Sequence, residues 1–531
     1  MGRSFFVPVL MAFVVEFFSI VIGRRWWRRG VRGAAVLLSG LLLMGFVGPL
    51  QATSEVPMAP AALEPLTPIS RHAYAEVLKL RLGAARTLLR PELAAAPKAP
   101  SPLLVANCAD FVELVVSQDA SRYAALSASQ EAHLDALDDA PASALRDYAR
   151  AEITLHLGLS QLLFKHLVMG GIHLRSGYHQ MQEVVRHYPN FSPARKTLGV
   201  CDFAVGAMPE GYHWLLRLLG LTPSVEAGLR NLGVAASQPG DFQTESQLLQ
   251  ALIRESYYKQ PAEAERLTTR LTAEQPDNLL FAYVRMSVAK RQHNADAALA
   301  AYRARPIGPG YLPVPYLHHM AGDLLLYRGD YAASERENLA FLQESRGQHY
   351  RKDAAFKLYL AAWLGGQPAA AMVRYRTLIN EPGPADVEED IYAQHYYDEA
   401  RTLNPILTRA RLQSDGGYDR EALATLRGFR ATATTLWRDR IEAPYRRARA
   451  FQGLGQLDSA WYYFEATLTE AGPEAPYYYA PQAALQQGYM AQSVGNRLIA
   501  RKYFQKALAY PWHEYKNSTD AKAKLALRLL K

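Results

Sequence analysis

The densest run of ionisable side chains in this 531-residue chain is Asp386, Glu388, Glu389, Asp390, His395, Asp398 and Glu399. Carboxylates beside an imidazole are ligands for a divalent cation. The spacing, however, carries neither the Glu-x-x-His pair of carboxylate-bridged metal bundles nor the glycine of an EF-hand loop. It reads better as a helix start, where acidic residues meet the positive end of the helix dipole. His166, His173, His179 and His187 are spaced by seven, six and eight residues, so no pair has the four-residue spacing that brings two imidazoles together on a helix, and His318 and His319 are adjacent and point apart. Cys108 and Cys201 are the only cysteines; they allow one disulfide but no zinc spacing, and read as buried apolar thiols. There is no Walker loop, GxGxxG, HExxH or GxSxG, and Gly365-Gly366-Gln367 and Gly416-Gly417 read as helix-ending turns. These residues point to no catalytic group, no cofactor and no metal, and so to a protein that is not an enzyme.

Composition narrows the class. Hydrophobic residues make up 49% of the chain, which excludes a disordered protein. Of the formal net charge of +9, six arginines against one acid before residue 53 supply +5. The remaining +4, spread over the rest of the chain, is too weak to mark a nucleic-acid partner. Apolar residues recur every three and four positions, the helical period. The length exceeds one compact core, so the chain is either several domains or one repeat array.

Residues 1–52 read as a signal peptide or membrane anchor. Phe5–Ile22 is apolar apart from Glu16 and Ser19, Arg24-Arg25-Trp26-Trp27-Arg28-Arg29 follows, and a second apolar run covers Ala34–Leu50. Leu50 departs from the small residue of an A-x-A cleavage site, so a cleaved signal and an uncleaved anchor both stand. Either way the arginines stay in the cytoplasm and the body lies outside it, in the periplasm or cell envelope. Residues 53–102 read as a Pro/Ala-rich linker holding one helix, Arg71–Leu89, between two proline clusters.

Any site beyond residue 102 must be positioned by paired helices. Residues 103–170 read as N-terminal helices. From 171 to 514 a small residue opens each second helix of a pair: Gly177, Gly228, Ala264, Ala298, Ser334, Ala371, Ala422, Ala460 and Ala500. Their successive spacings are 51, 36, 34, 36, 37, 51, 38 and 40 residues, with the two long intervals attributed to insertions at 199–222 and 380–400. Large or aromatic residues follow at +4, as at Met181, Tyr302, Tyr375, Phe464 and Phe504. One helical hairpin cannot bury its own apolar face, so such units must stack. Residues 515–531 read as a capping helix with Ser518 as N-cap. Within the first insertion, Met208–Gly220 holds Tyr212 and Trp214 in an apolar setting; buried it would plug the array, exposed it would be a binding patch.

The stretch Gln482–Pro511, with Gly488, Ala500, Phe504, Ala507 and Pro511, resembles the tetratricopeptide repeat family, and the weaker copies extend that resemblance over residues 142–531. Pro476–Gln482 and Arg175–Tyr178 are also similar to the tetratricopeptide repeat protein 39 group. The resemblance implies an all-α superhelix (solenoid) of about nine hairpins, and a protein-interaction scaffold without catalysis. It also implies a partner groove on the inner face of the first helices. In this sequence the groove maps to Asn404 and Arg411, then Tyr445, Arg449 and Gln452, then Gln482, Tyr489 and Gln492, a set suited to a protein or extended peptide with acidic or amide groups. The alternative is an accessory or carrier protein that holds a small ligand or glycan inside the superhelix.

Overall fold

The computed structural model describes residues 66–207, 224–258, 260–400, 402–513 and 515–530. The expected signal or anchor and the apolar stretch around Trp214 lie outside the described residues. Among those described, twenty-four helices form and no strand does. Four helices open the body: α1 (Pro68–Leu78), α2 (Leu82–Ala95), α3 (Pro100–Ser117) and α4 (Ala120–Asp138). Six hairpins follow: α5 (Ala144–Leu163) with α6 (Leu167–His187), α7 (Ser192–Gly206) with α8 (Val225–Ser237), α9 (Gln243–Ser256) with α10 (Pro261–Glu274), α11 (Leu279–Arg291) with α12 (Ala295–Ala304), α13 (Tyr316–Arg328) with α14 (Tyr331–Glu344), and α15 (Arg351–Leu364) with α16 (Ala369–Ile379). An extra helix, α17 (Glu388–Asp398), interrupts the pairing. It resumes with α18 (Pro405–Asp415) and α19 (Asp419–Leu426), α20 (Trp437–Gly453) and α21 (Leu457–Ala471), and α22 (Tyr479–Ser493) and α23 (Arg497–Ala509); α24 (Lys516–Leu529) ends the chain.

The small-residue rule accounts for the hairpins. All nine anchors lie on the second helix of a pair. Gly177, Gly228, Ala264, Ala298, Ser334, Ala422, Ala460 and Ala500 are buried, and Ala371 is half-buried. A Cβ on Gly177 would come within 2.7 Å of Leu155 on the partner helix, so the backbones meet there only because the side chain is missing. At +4, Met181, Leu232, Leu426, Phe464 and Phe504 are fully or almost fully buried, each contributing about 1.5–3 kcal/mol of apolar burial. At Ser334 the rule is met with polar atoms: its Oγ donates to Gly322 O at 2.7 Å, and Asn338 at +4 packs under Gly322.

Several sequence expectations need correction. Residues 68–102 are folded and not a linker. α1 and α2 replace the single helix 71–89, because the chain turns at Leu80 through a left-handed φ of 62°. Pro91 sits inside α2, and Pro100 opens α3, where a missing N–H costs nothing. Leu66, Ala73, Tyr74, Leu82 and Leu89 share a core with Tyr178, Met181 and Phe191, so no boundary falls at 170/171, which lies within α6. Residues 199–206 complete α7, with Val200 and Phe203 buried, and belong to no insertion. The second long interval does contain an inserted helix, α17. Ser518 lies inside α24, which begins at Lys516. α3 is long and apolar enough to cross a membrane, but most of it is buried in the body.

The chain curls back on itself. Gln118 meets His349 at 3.1 Å and Lys165 meets Asp386 at 3.2 Å, across 231 and 221 residues. Tyr74 donates to Glu245 at 2.5 Å, Lys79 to Asp277 at 2.7 Å, and Leu312 N to Leu80 O at 2.7 Å. α1 is thereby set against α9, and the α1–α2 turn against the loops before α11 and α13, with Leu80 buried in the central core.

Candidate functional site

Successive first helices are tied together by polar pairs. Glu152 on α5 faces Lys196 on α7 at 3.4 Å, and Lys196 reaches Glu245 on α9 at 3.1 Å. Glu255 on α9 pairs with Arg291 on α11 at 2.8 Å, Lys290 on α11 with Asp323 on α13 at 2.6 Å, and Asp323 with Lys357 on α15 at 3.0 Å. Gln452 on α20 donates to Gln486 on α22 at 3.1 Å. This ladder of pairs lies between neighbouring first helices, with Glu152, Lys196, Glu255 and Asp323 buried.

At its N-terminal end the ladder borders a cavity of about 100 Å³. α5 is wrapped by α3, α4, α6 and α7 and is buried along most of its length, so its polar residues must find partners inside. His156 stacks on Phe111, with ring centroids 4.0 Å apart, and its Nδ1 accepts from the Asn107 amide at 2.8 Å. That bond leaves the proton of the neutral ring on Nε2, 3.8 Å from Glu152. Burial, with help from Lys196, pushes the His156 pKa down to about 4 against the pull of Glu152, so the ring is neutral at physiological pH. Lys196 is 2% exposed, yet its two carboxylate partners and two nearby tyrosines hold its pKa well above the ordinary value despite burial. Desolvation pushes the Glu152 carboxyl up, but Lys196, His156 and Thr197 together outweigh it and hold the group below the usual range. Tyr74, Tyr148 and Phe242 supply aromatic wall, and the Lys196 ammonium sits 4.9 Å above the Phe242 ring. A second cavity of about 50 Å³ adjoins across Leu80 and Leu280, near Gln118, Tyr316 and His349.

A second buried cluster lies further along. The ligand atoms of His319, Asp323 and Asp353 fall within 4.8 Å of one another, close enough for a metal ion. Lys290 and Lys357 already occupy the carboxylates, Lys357 lying 3.0 Å from Asp323 and 3.6 Å from Asp353. The two ammonium groups balance the two acids, and the donor set does not call for a cation. His319 is held between Asn338 Oδ1 at 3.1 Å and Asp353 at 3.2 Å. The +4 position of the Ser334 hairpin is thus an amide that orients a buried imidazole. The acidic run singled out in the sequence does start a helix, with Glu388, Glu389 and Asp390 in the first turn of α17.

The residues assigned to a groove are divided by the structure. Tyr445 is 0% exposed and is removed from the surface set: Ile441, Tyr445 and Ala448 form the apolar stripe of α20 that packs on Phe464 and Tyr479. Asn404 caps α18, accepting from Ile406 N at 3.0 Å and Leu407 N at 3.2 Å. Arg411 is half-buried, 3.4 Å from the Tyr392 hydroxyl, and Arg449 lies beside Tyr445 and Asp419. Gln482 donates to Thr519 on α24 at 2.8 Å, and Tyr489 stands edge-on to Phe504. Arg449, Gln452, Gln482, Tyr489 and Gln492 are all half-buried on α20 and α22. Behind them, Arg446 bonds Glu442 at 2.6 Å and the Tyr478 hydroxyl at 2.8 Å, and Tyr479 donates to Glu442 at 2.6 Å.

Sequence reasoning missed both buried clusters because the pairs that close them, Glu152–Lys196, Lys196–Glu245 and Lys290–Asp323, join different helices across 44, 49 and 33 residues. One signal was present: Glu152, Lys196, Asp323 and Asp353 interrupt otherwise apolar helix faces. Cys108 and Cys201 are free and half-buried rather than fully buried, and desolvation pushes both thiols up. A scan against protein-family models and a search of curated proteins each find no match.

Proposed function

We propose that the chain is a non-catalytic protein-interaction scaffold of tetratricopeptide type: an α–α superhelix whose first helices offer one face to an extended peptide. Its N-terminal segment exports it to the cell envelope or anchors it there. The observation that carries this reading is the burial of the small anchors at the hairpin crossings, Ala371 alone being half-buried. A chain built this way stacks its first helices side by side and leaves their common face for a ligand. Residues 401–450 add eleven arginines against five acids, which favours an acidic partner. A photo-crosslinking residue in place of Gln492, compared with one in place of the exposed Arg420 on α19, tests the assignment in membrane fractions. Adducts are expected at position 492 and not at 420; equal adducts at both positions overturn it. Mass spectrometry of the mature N-terminus tests the export reading separately.

A second reading, a small ligand held within the superhelix, is favoured by one observation: the cavity of about 100 Å³ beside Glu152 and Lys196, whose largely apolar wall carries a few charged groups.

A further inference from the structure

We propose that the cavity bordered by Tyr74, Glu152, Lys196, Phe242 and Glu245 binds a small organic cation, a primary ammonium carried on a short apolar chain. The inference rests on the second reading above and names its chemistry. Size comes first. A cavity of about 150 Å³ takes benzene, so about 100 Å³ takes roughly four or five heavy atoms.

Charge selects the class. Two carboxylates, Glu152 and Glu245, face one ammonium, Lys196. His156 donates no charge, since its Nδ1 is occupied by Asn107 and its ring is buried against Phe111. The site therefore carries one negative charge in excess, inside a largely apolar enclosure where an unbalanced charge is costly. Glu152 Oε2 is buried with no hydrogen-bond partner within 3.5 Å among the described residues, and the neighbouring Thr197 hydroxyl, itself buried and without such a partner, helps to hold the carboxylate charged. An ammonium donor would satisfy that oxygen and cancel the excess charge. An anion would meet a lysine already shared between two carboxylates.

The walls fit the rest of such a molecule. Val77, Leu104, Leu248 and Leu249 are apolar and would take the carbon chain. Tyr74 and Phe242 add aromatic faces, and Phe242 already accepts a cation, the Lys196 ammonium, over its ring. Entry lies at Thr244 and Glu245, where Thr244 is exposed and the Glu245 side chain is 23% exposed.

The test titrates the full chain with n-butylammonium, n-butanol and n-butyrate, by calorimetry and by thermal shift. Saturable binding of n-butylammonium alone is expected. Glu152→Gln should weaken it at least tenfold. That variant disturbs a buried pair, so Thr244→Arg, which places a cation at the exposed mouth, provides a second arm: it should also weaken binding at least tenfold while melting within a degree or two of wild type. Binding of n-butanol or n-butyrate as tight as that of the amine overturns the cationic class and leaves a small-ligand site standing. No saturable binding of any of the three overturns both. Amine binding that persists unchanged in Glu152→Gln and Thr244→Arg places it elsewhere and overturns the assignment.

Discussion

Asp390 on α17 accepts the backbone amide of Asp353 at 2.8 Å through one carboxylate oxygen, and its other oxygen takes the Tyr350 amide at 2.7 Å. α15 has no side-chain cap of its own; its N-cap position is Tyr350, in the left-handed region with φ 63°. The inserted helix therefore caps its neighbour from 37 residues away. Residues in the interval 380–400 thus have a structural duty, which a length irregularity in the repeat does not reveal.

This cap sets a pH dependence. Burial, with the nearby Asp353 charge, raises the Asp390 carboxyl to about 7 against the pull of the two amides and His319. The folded protein thus holds a proton that the unfolded chain releases near pH 4, and stability from this group fades as pH rises from about 4 to 7. His156 acts in the opposite sense. Its pKa of about 4 means the fold refuses a proton that the unfolded chain accepts below about 6.5, so its stability is full above that pH and lost as pH falls. The two slopes oppose each other between pH 4.5 and 6.5, each worth on the order of 3 kcal/mol across its span. Asp390→Asn should give a melting temperature that climbs more steeply over that range than the wild type's. Parallel curves would count against this account of the cap.

Crossing positions should resist growth. Ala500 is fully buried on α23, whereas Ala371 on α16 is half-buried. Ala500→Leu is expected to cost about 1–3 kcal/mol or more by overpacking, and Ala371→Leu less than about 1 kcal/mol. Gly488 should be stricter still, because any Cβ there meets the Phe504 ring. Urea unfolding of the three variants ranks them; equal costs at 371 and 500 would remove the repeat logic.

The buried lysine offers a separate check. Lys196→Met leaves Glu152 and Glu245 without their counter-charge, and a cost of about 3–5 kcal/mol is expected. Adding Glu152→Gln should recover part of it, since one uncompensated carboxylate is then removed. A double variant no more stable than Lys196→Met would show that Glu152 does not draw its compensation from Lys196.

How far the sequence could be read follows from the range of the interactions. The helix period and the small-residue spacing are local and repeat along the chain, so the all-α hairpins and their anchors were legible in residues such as Ala264, Ala298 and Ala500. The fold of residues 68–102 was not: prolines suggested a linker, but Pro91 and Pro100 sit within helices whose stability comes from packing on α5 and α6. Tyr445 was misplaced because a first-helix aromatic fits an inner face and a core stripe equally well until Ile441 and Ala448 are seen on the same side. His319 and Asp323 share α13 at a spacing of four, but what joins them to Asp353 on α15, and Lys196 to Glu152 and Glu245, is which helices become neighbours, and no short spacing encodes that.

The inner-face account is tested most directly by titrating the purified protein with fluorescent ten-residue extended peptides, acidic, neutral and basic, and following anisotropy. The acidic peptide should bind at low micromolar Kd and weaken with salt, and Arg449→Ala with Gln492→Ala should lose at least tenfold, about 1.4 kcal/mol, while Arg420→Ala changes Kd less than twofold. If no peptide binds saturably, or if Arg420→Ala weakens binding as much as the inner-face pair does, the inner face of α20 and α22 is not the partner groove.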